Sequence, residues 1–521
     1  MTLRAGRVLP ALVLAVLTAA TGVLLFGYAG RTPPPGSTSA VAAATSGPRL
    51  TVAPVAPVQP SAAPVDPTPT PAPIPTTGPD ASAAPVAPPS AEPPAPVAPP
   101  RTGLVDGSVG RMSLDLDATY DVNAAITVGT GVLDVSTTIV VTNAGSESID
   151  RIELNTVAAR LGRLKITNST VDDHKVKVKI KDQTLVVPLG GILEPGVTTT
   201  VQIAYRARLQ TGLAGSDWMF TRAGGTYALY RWIPWISRAV PFNRPNQGDP
   251  FVTVSSREVS VELITDLPLR LASPADEIAE FEAGTGTAWA FTLHDVRDVA
   301  LVLAPDFVVR QEKVGGVTVR AYSRDGAFAA GRLLDLTTQA LRAEKRVLGA
   351  DYPWPVLVAV ETEGGEAMES PGLIWIPRSL DSLNRTYLVH HEVAHQWFYG
   401  QVGNDQRNDP FLDEAAADLL ARTALNSFRP TRCTQTTLDQ SIAHYQGSCY
   451  YEVVYVQGGR LLDDVRLRVG TNRFWKALAG FLEDHRFELA ETRDLLDALE
   501  DSAPTGVNLR PLFRARFPSL Y

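Results

Sequence analysis

The residues in this sequence best suited to chemistry are His391-Glu392-Val393-Ala394-His395, followed by Glu414. On a helix, two histidines four apart lie one turn above each other on the same face, so both imidazoles can converge on one metal ion. Glu392, beside the first of them, then sits where it can take a proton from a water activated by that ion. The segment from His395 to Glu414 is long enough to end one helix, turn, and bring a second helix alongside carrying a carboxylate. A His, His, Glu set with a fourth position left open is the arrangement of a catalytic zinc rather than a structural one. The chain has only seven histidines, which makes chance a poor explanation of this pentapeptide with its distant Glu. The adjacent His390 points about a hundred degrees of helix rotation away from the metal-facing side and reads as a packing or surface residue.

The elements around these residues follow from periodicity. Ala327 to Leu348 has helical apolar spacing, Asp351-Tyr352-Pro353-Trp354-Pro355 stops it, and Val356 to Val360 is a short buried strand. After the Glu361–Ile376 segment comes the histidine helix, and Asp409 to Tyr521 reads as mostly helical. The catalytic part, residues 311–521, is therefore expected to be α+β. Before it, residues 103–310 alternate with period two: Val132 to Val141, Thr198 to Leu209 and Glu258 to Ile264 are strands, and Val317 to Tyr322 adds one more beyond. This predicts an antiparallel β domain, a sandwich or a saddle-shaped sheet.

The N-terminal hundred residues have a different character. Arg4 and Arg7 precede an uncharged apolar run from Val8 to Gly30, about the ~20 residues needed to cross a bilayer. Residues 1–31 are expected to be a membrane anchor or a signal segment, the flanking positives keeping the N-terminus cytoplasmic. A retained anchor makes the protein a single-pass protein of the cell membrane with its catalytic part extracytoplasmic. Cleavage after the small residues around Gly27-Tyr28-Ala29 makes it secreted. Residues 32–102 are almost all Pro, Ala, Val, Thr and Ser and cannot bury a core, so they predict an extended, disordered stalk. Outside the cytoplasm, the two cysteines Cys433 and Cys449 are a possible disulfide, worth about 3 kcal/mol in the loop-entropy model. A net charge of −8, with no basic stripe, argues against nucleic acid as a partner.

A Met-Glu loop, a His-Glu-x-x-His helix, a Glu ligand and a Tyr-x-x-Gly helix, in that order, resemble the alanyl aminopeptidase (aminopeptidase N-like) family of gluzincin zinc metallopeptidases. The resemblance runs from about Met112 to the end and is most specific from Glu361 to Arg460. It implies an α+β multidomain protein in which the β domain precedes a thermolysin-like zinc metallopeptidase domain. It implies His391, His395 and Glu414 as ligands of one Zn2+ per chain and Glu392 as general base. Glu369, with Met368 and Ala367 beside it in Glu366-Ala367-Met368-Glu369-Ser370, falls where the family binds the substrate's free α-amino group. Glu366 stands in place of the family's glycine and Ser370 in place of its asparagine. Tyr455, followed by Gly458 and an apolar helix, falls where the family stabilises the tetrahedral intermediate, with Gln457 in place of the usual lysine. Tyr450 and Tyr451 lack that downstream pattern. Larger members continue into a long C-terminal helical domain; none is expected before Tyr521, which implies a more open cleft.

Three readings result. The first is a membrane-tethered extracytoplasmic zinc aminopeptidase acting on peptides with a free N-terminus. The second is an endopeptidase of the same zinc type, which the altered Glu366 and Ser370 favour. The third is a catalytically silent cell-surface binding protein. Asp418, one turn beyond Glu414, has two open roles, orienting a ligand imidazole or lying solvated on the helix surface.

Overall fold

A computed structural model describes residues 101–239, 251–445 and 449–521. The anchor or signal segment expected over residues 1–31, and the stalk but for Arg101 and Thr102, lie outside the described residues. Among the described residues no helix is long and apolar enough to cross a membrane.

The N-terminal half is built from long strands whose side chains alternate between core and solvent. In Leu116–Thr127 every second residue, from Leu116 through Tyr120 to Ile126, is buried, as the two-residue period of a half-covered strand requires. That strand and Val132–Asn143 form a hairpin at the middle of a nine-stranded sheet. Most neighbours in the sheet are antiparallel, as expected, but Ser256–Thr265 runs parallel to Leu116–Thr127. Parallel neighbours need a long connection, and the whole excursion through the intervening strands supplies it. A five-stranded sheet with Ile149–Asn155 at its centre is joined to the large one at a stacked pair. The Tyr120 and Trp235 rings lie 4.2 Å apart at 11°, and the Tyr120 hydroxyl accepts from Ile236 N at 3.0 Å. A short helix, α1 (Val157–Leu161), is started by the Thr156 side chain accepting from Ala158 N.

The C-terminal half opens with a five-stranded mixed sheet in the order Val308–Val314, Val317–Ser323, Val356–Thr362, Leu373–Pro377, Met368–Ser370. Val356–Thr362 is buried along its whole length, the pattern of a parallel strand covered on both faces. Against this sheet lies α2 (Ala327–Leu348), which ends at Gly349 with φ of 72°. A left-handed residue there suits glycine, and its N–H closes the last turn on Lys345 O. Next come α3 (Ser382–Ala394), capped by Asp381 accepting from the N–H groups of Leu383 and Asn384, and α4 (Phe411–Leu425), closed by Asn426 at φ 48°. Residues Tyr451–Gln457 are wound as a π-helix that runs into α5 (Gly458–Val469). The fold closes with α6 (Thr471–Asp484), α7 (Thr492–Asp501) and α8 (Arg510–Arg516). Cys433 and Cys449 form a disulfide with Cα atoms 5.8 Å apart, joining the irregular segment after α4 to the start of the π-helix.

Candidate metal centre and active site

The last turn of α3 and the first turn of α4 face each other. This places His391 Nε2 and His395 Nε2 3.0 Å apart, with Glu414 Oε2 3.2 Å from the first and 3.3 Å from the second. All three side chains are buried. Donor atoms held at about 2.0–2.1 Å from one ion with tetrahedral angles lie about 3.3 Å from one another. The triangle therefore fits a single Zn2+, and His, His, Glu is the donor set of a catalytic zinc. His395 Nδ1 lies 3.0 Å from Phe398 O. A carbonyl can only accept, so Nδ1 carries the proton and the Nε2 lone pair is directed into the triangle. The His391 ring is held between Tyr455, stacked at 5.2 Å and 19°, and Tyr387 at 5.7 Å.

The charges are unevenly distributed. Burial disfavours ionisation of Glu414, but hydrogen bonds and charge from His391 and His395 outweigh it and hold the carboxyl down at about 2. Its neighbour Asp413, equally buried, is pushed up to about 8 by desolvation and by the Glu414 charge. Glu392 is also pushed up, by burial and then by Glu369 and Glu414, with His395 opposing. Its Oε2 has no hydrogen-bond partner among the described residues, so it presents a basic oxygen beside the triangle.

Glu369 lies on the edge strand Met368–Ser370, in register with Ile374, and its Oε1 accepts from Gln406 Nε2 at 2.8 Å. Gln406 Nε2 reaches Asp413 as well, at 2.6 Å. Met368 is buried and Ala367 half-buried on the same approach, while Glu366 is exposed. The Tyr455 hydroxyl donates to Glu414 Oε1 at 2.5 Å. Burial and the Glu414 charge push that phenol up, so it stays a donor. The π-helix decides which tyrosine this is. Tyr455 is half-buried beside the triangle, whereas Tyr450 is packed into the core with its ring 5.6 Å from that of Tyr455.

One flanking residue departs from expectation. Asp418 meets neither of its two readings: it is fully buried and accepts from the Tyr387 hydroxyl at 2.5 Å and from Arg422 Nε at 2.7 Å. The crossing of α3 and α4 brings Tyr387, not a histidine, opposite it. Asp418 thus reaches His391 only through the Tyr387 ring. His390 is a packing residue, its Nδ1 2.8 Å from Glu344 Oε1 in the core. Gln457 braces the disulfide loop by donating to Cys433 O and Gln435 O. Sequence reasoning missed Gln406, Asp413, Tyr387, Tyr399 and Asp298. None carried a distinguishing cue: Tyr399 is the third of three successive aromatics, Trp397-Phe398-Tyr399, that follow the histidine helix.

Residues 332–447 match the description "Peptidase family M1 domain". The chain carries an M1 peptidase domain. The matched segment covers α3, the first ligands and Glu414, and the resemblance to the alanyl aminopeptidase family of gluzincins holds. Over about three quarters of the chain the fold is similar to solved M1 zinc metallopeptidase structures, one of them described as two-domain. A variant of the M1 zinc metallopeptidase from Deinococcus radiodurans superposes with a TM-score of 0.61 at 20% identity, over 77% of this chain and 94% of that one. Among curated relatives, "Aminopeptidase 2, mitochondrial" of Saccharomyces cerevisiae is 24% identical over 409 residues, 69% of this chain and 42% of its own length. "Alanine/arginine aminopeptidase" of the same yeast is 23% identical over 443 residues, 76% of this chain and 50% of its own. The chain thus spans half or less of these relatives.

Proposed function

We propose that this chain is a zinc aminopeptidase that removes residues from the free N-termini of peptides, acting outside the cytoplasm from a membrane tether. The observation that carries the reading is the convergence of His391, His395 and Glu414 beside a Glu392 oxygen that has no hydrogen-bond partner among the described residues. The relatives support it: the curated ones are aminopeptidases, and a Deinococcus radiodurans M1 structure holds a Tyr-Ser-Ala substrate. Zinc held by these three residues supplies a Lewis acid that polarises the scissile carbonyl and brings the pKa of water towards neutrality. Glu392 takes the proton of the attacking water and returns it to the departing amine, a role its desolvated position strengthens. The Tyr455 hydroxyl turns from Glu414 to donate to the oxyanion. Glu369 receives the substrate's ammonium, a contact that only a chain's N-terminus can make. The tether rests on the apolar run at residues 8–30 and the stalk composition.

A second reading is an endopeptidase, favoured by the exposed Glu366 and the serine at 370. The test is the full chain on aminoacyl-arylamides and on matched peptides with free or acetylated N-termini. Turnover should vanish with a chelator, return with zinc, and fall about 10²–10⁴-fold in Glu392→Gln. Equal cleavage of acetylated peptides transfers the assignment to the endopeptidase. Chelator-resistant turnover, or a Glu392→Gln protein as active as the parent, ends both.

A further inference from the structure

Asp298 belongs to the β half, between the strands Gly286–Val296 and Leu301–Ala304, and only 2% of it is exposed. Both of its carboxylate oxygens are engaged with residues next to the site. Oδ1 accepts from Ser370 Oγ at 2.8 Å and Oδ2 accepts from the Tyr399 hydroxyl at 2.6 Å, with Arg231 Nη2 3.5 Å from Oδ2. Ser370 directly follows Glu369 on the edge strand. Tyr399 directly follows Phe398, whose carbonyl fixes the His395 ring. One carboxylate therefore grips the strand bearing Glu369 with one oxygen and the segment that orients a zinc ligand with the other.

The backbone around this grip is strained. Tyr399 has φ of 120° and Arg231 has φ of 46°, values that side-chain-bearing residues rarely adopt. These two residues are hydrogen-bonded to each other through Arg231 Nη2 and the Tyr399 hydroxyl. Strain persists only where the surroundings over-determine it, and it collects where a geometry is being held for function. Arg231 is further tied to Thr253 Oγ1 at 3.1 Å and Arg297 O at 2.9 Å, which anchors the grip to the β half.

We propose that Asp298 is a positioning residue that sets the separation between the Glu369 carboxylate and the zinc triad, and so the place of the substrate's ammonium relative to the scissile carbonyl. The inference rests on the aminopeptidase reading. Gln406 also holds Glu369, through its own hydrogen bond to Oε1, so loss of Asp298 shifts that carboxylate without freeing it. The expected effect is correspondingly selective: weaker recognition of free N-termini, with the rest of the peptide bound as before.

The test uses the full chain carrying Glu392→Gln, which binds without turning over. Calorimetry with one tripeptide, free and N-acetylated, is run on this protein and on versions that add Asp298→Ala, Asp298→Asn or Ser370→Ala. Asp298→Ala should weaken the free peptide about tenfold and leave the acetylated one unchanged. Asp298→Asn should recover much of that loss, because its carbonyl still accepts from Ser370. Equal weakening of both peptides, or none, overturns the proposal and leaves Asp298 a structural residue. Should Asp298→Ala not fold, Ser370→Ala, which removes one hydroxyl, decides in the same way. If the Glu392→Gln protein already binds both peptides equally, the aminopeptidase reading itself has failed and this inference falls with it.

Discussion

Replacing Tyr455 with phenylalanine removes one oxygen and keeps the ring, which remains stacked on His391 and flanked by Tyr450 and Tyr451. Two losses of different size follow. The hydroxyl donates to the Glu414 carboxylate at 2.5 Å, and a hydrogen bond to a charged group contributes about 1.5–3 kcal/mol. That loss is felt as weaker zinc retention. On the proposed mechanism the same hydroxyl serves the oxyanion in turnover, and loss of one such donor costs about 10²–10³ in kcat, roughly 3–4 kcal/mol. At saturating zinc the second loss alone remains. The donor is used only in the transition state, so kcat should fall about 100-fold or more with KM little changed. The assay is steady-state kinetics on an aminoacyl-arylamide, with zinc per chain measured on the same samples. A kcat within about threefold of the parent, under ~1 kcal/mol, refutes the oxyanion role. A deficit wholly reversed by added zinc assigns the hydroxyl to holding Glu414 instead.

Other predictions concern the frame around the site. A Cβ at Gly403 would collide with the guanidinium of Arg297, which is buried and donates to Thr253 O at 2.8 Å and Glu488 O at 3.1 Å. Gly403→Ala should therefore destabilise the protein by about 3–5 kcal/mol, the cost of stranding a buried charge, and a denaturant titration unchanged within ~1 kcal/mol contradicts it. Burial opposes ionisation of Asp150, but the Ser108 hydroxyl and the N–H groups of Gly110, Val109 and Arg111 outweigh it and lower the carboxyl from 3.8 to about 2. A lowered folded-state value means that this contribution is complete above pH 3.8 and is lost as the pH falls towards about 2. Hydrogen exchange at residues 109–111 should accelerate across that window, and Asp150→Asn should abolish the dependence.

The elements were legible wherever local pattern and burial agree. The helix Ala327–Leu348 has the bounds its apolar spacing predicts, and Gly349, in the left-handed conformation, closes it ahead of the stretch of residues 351–355 that reads as its stop. The ligand triangle was legible because four-residue spacing on a helix leaves little freedom. The π-helix was not, since its wider turn breaks the period on which a helix is recognised, and that turn decides that Tyr455 rather than Tyr450 meets His391. Asp298 lies in the β half, and Tyr399 and Gln406 lie in the connection between α3 and α4, with no spacing that links them to Ser370 or Glu369; docking of the β half brings Asp298 to Ser370 and Tyr399, and the path of that connection brings Gln406 to Glu369. Asp418 shows the same limit on a smaller scale. Its place one turn beyond Glu414 says which side of α4 it occupies, but the crossing of α3 over α4 selects Tyr387 as its partner.

Helix α4 is enclosed on every side from Phe411 through Arg422, as a helix in the centre of a domain must be. It therefore offers no outward-facing position at which a changed side chain could be absorbed without disturbing its neighbours, and Glu414 inherits that rigidity. On the proposed peptidase reading, diversification of substrate preference, whether by natural drift or in the laboratory, is consequently steered to the segment of residues 363–367, where Gly365 and Glu366 are exposed. A library confined to that segment should yield folded, zinc-competent proteins, whereas one spread along α4 should be dominated by insoluble chains.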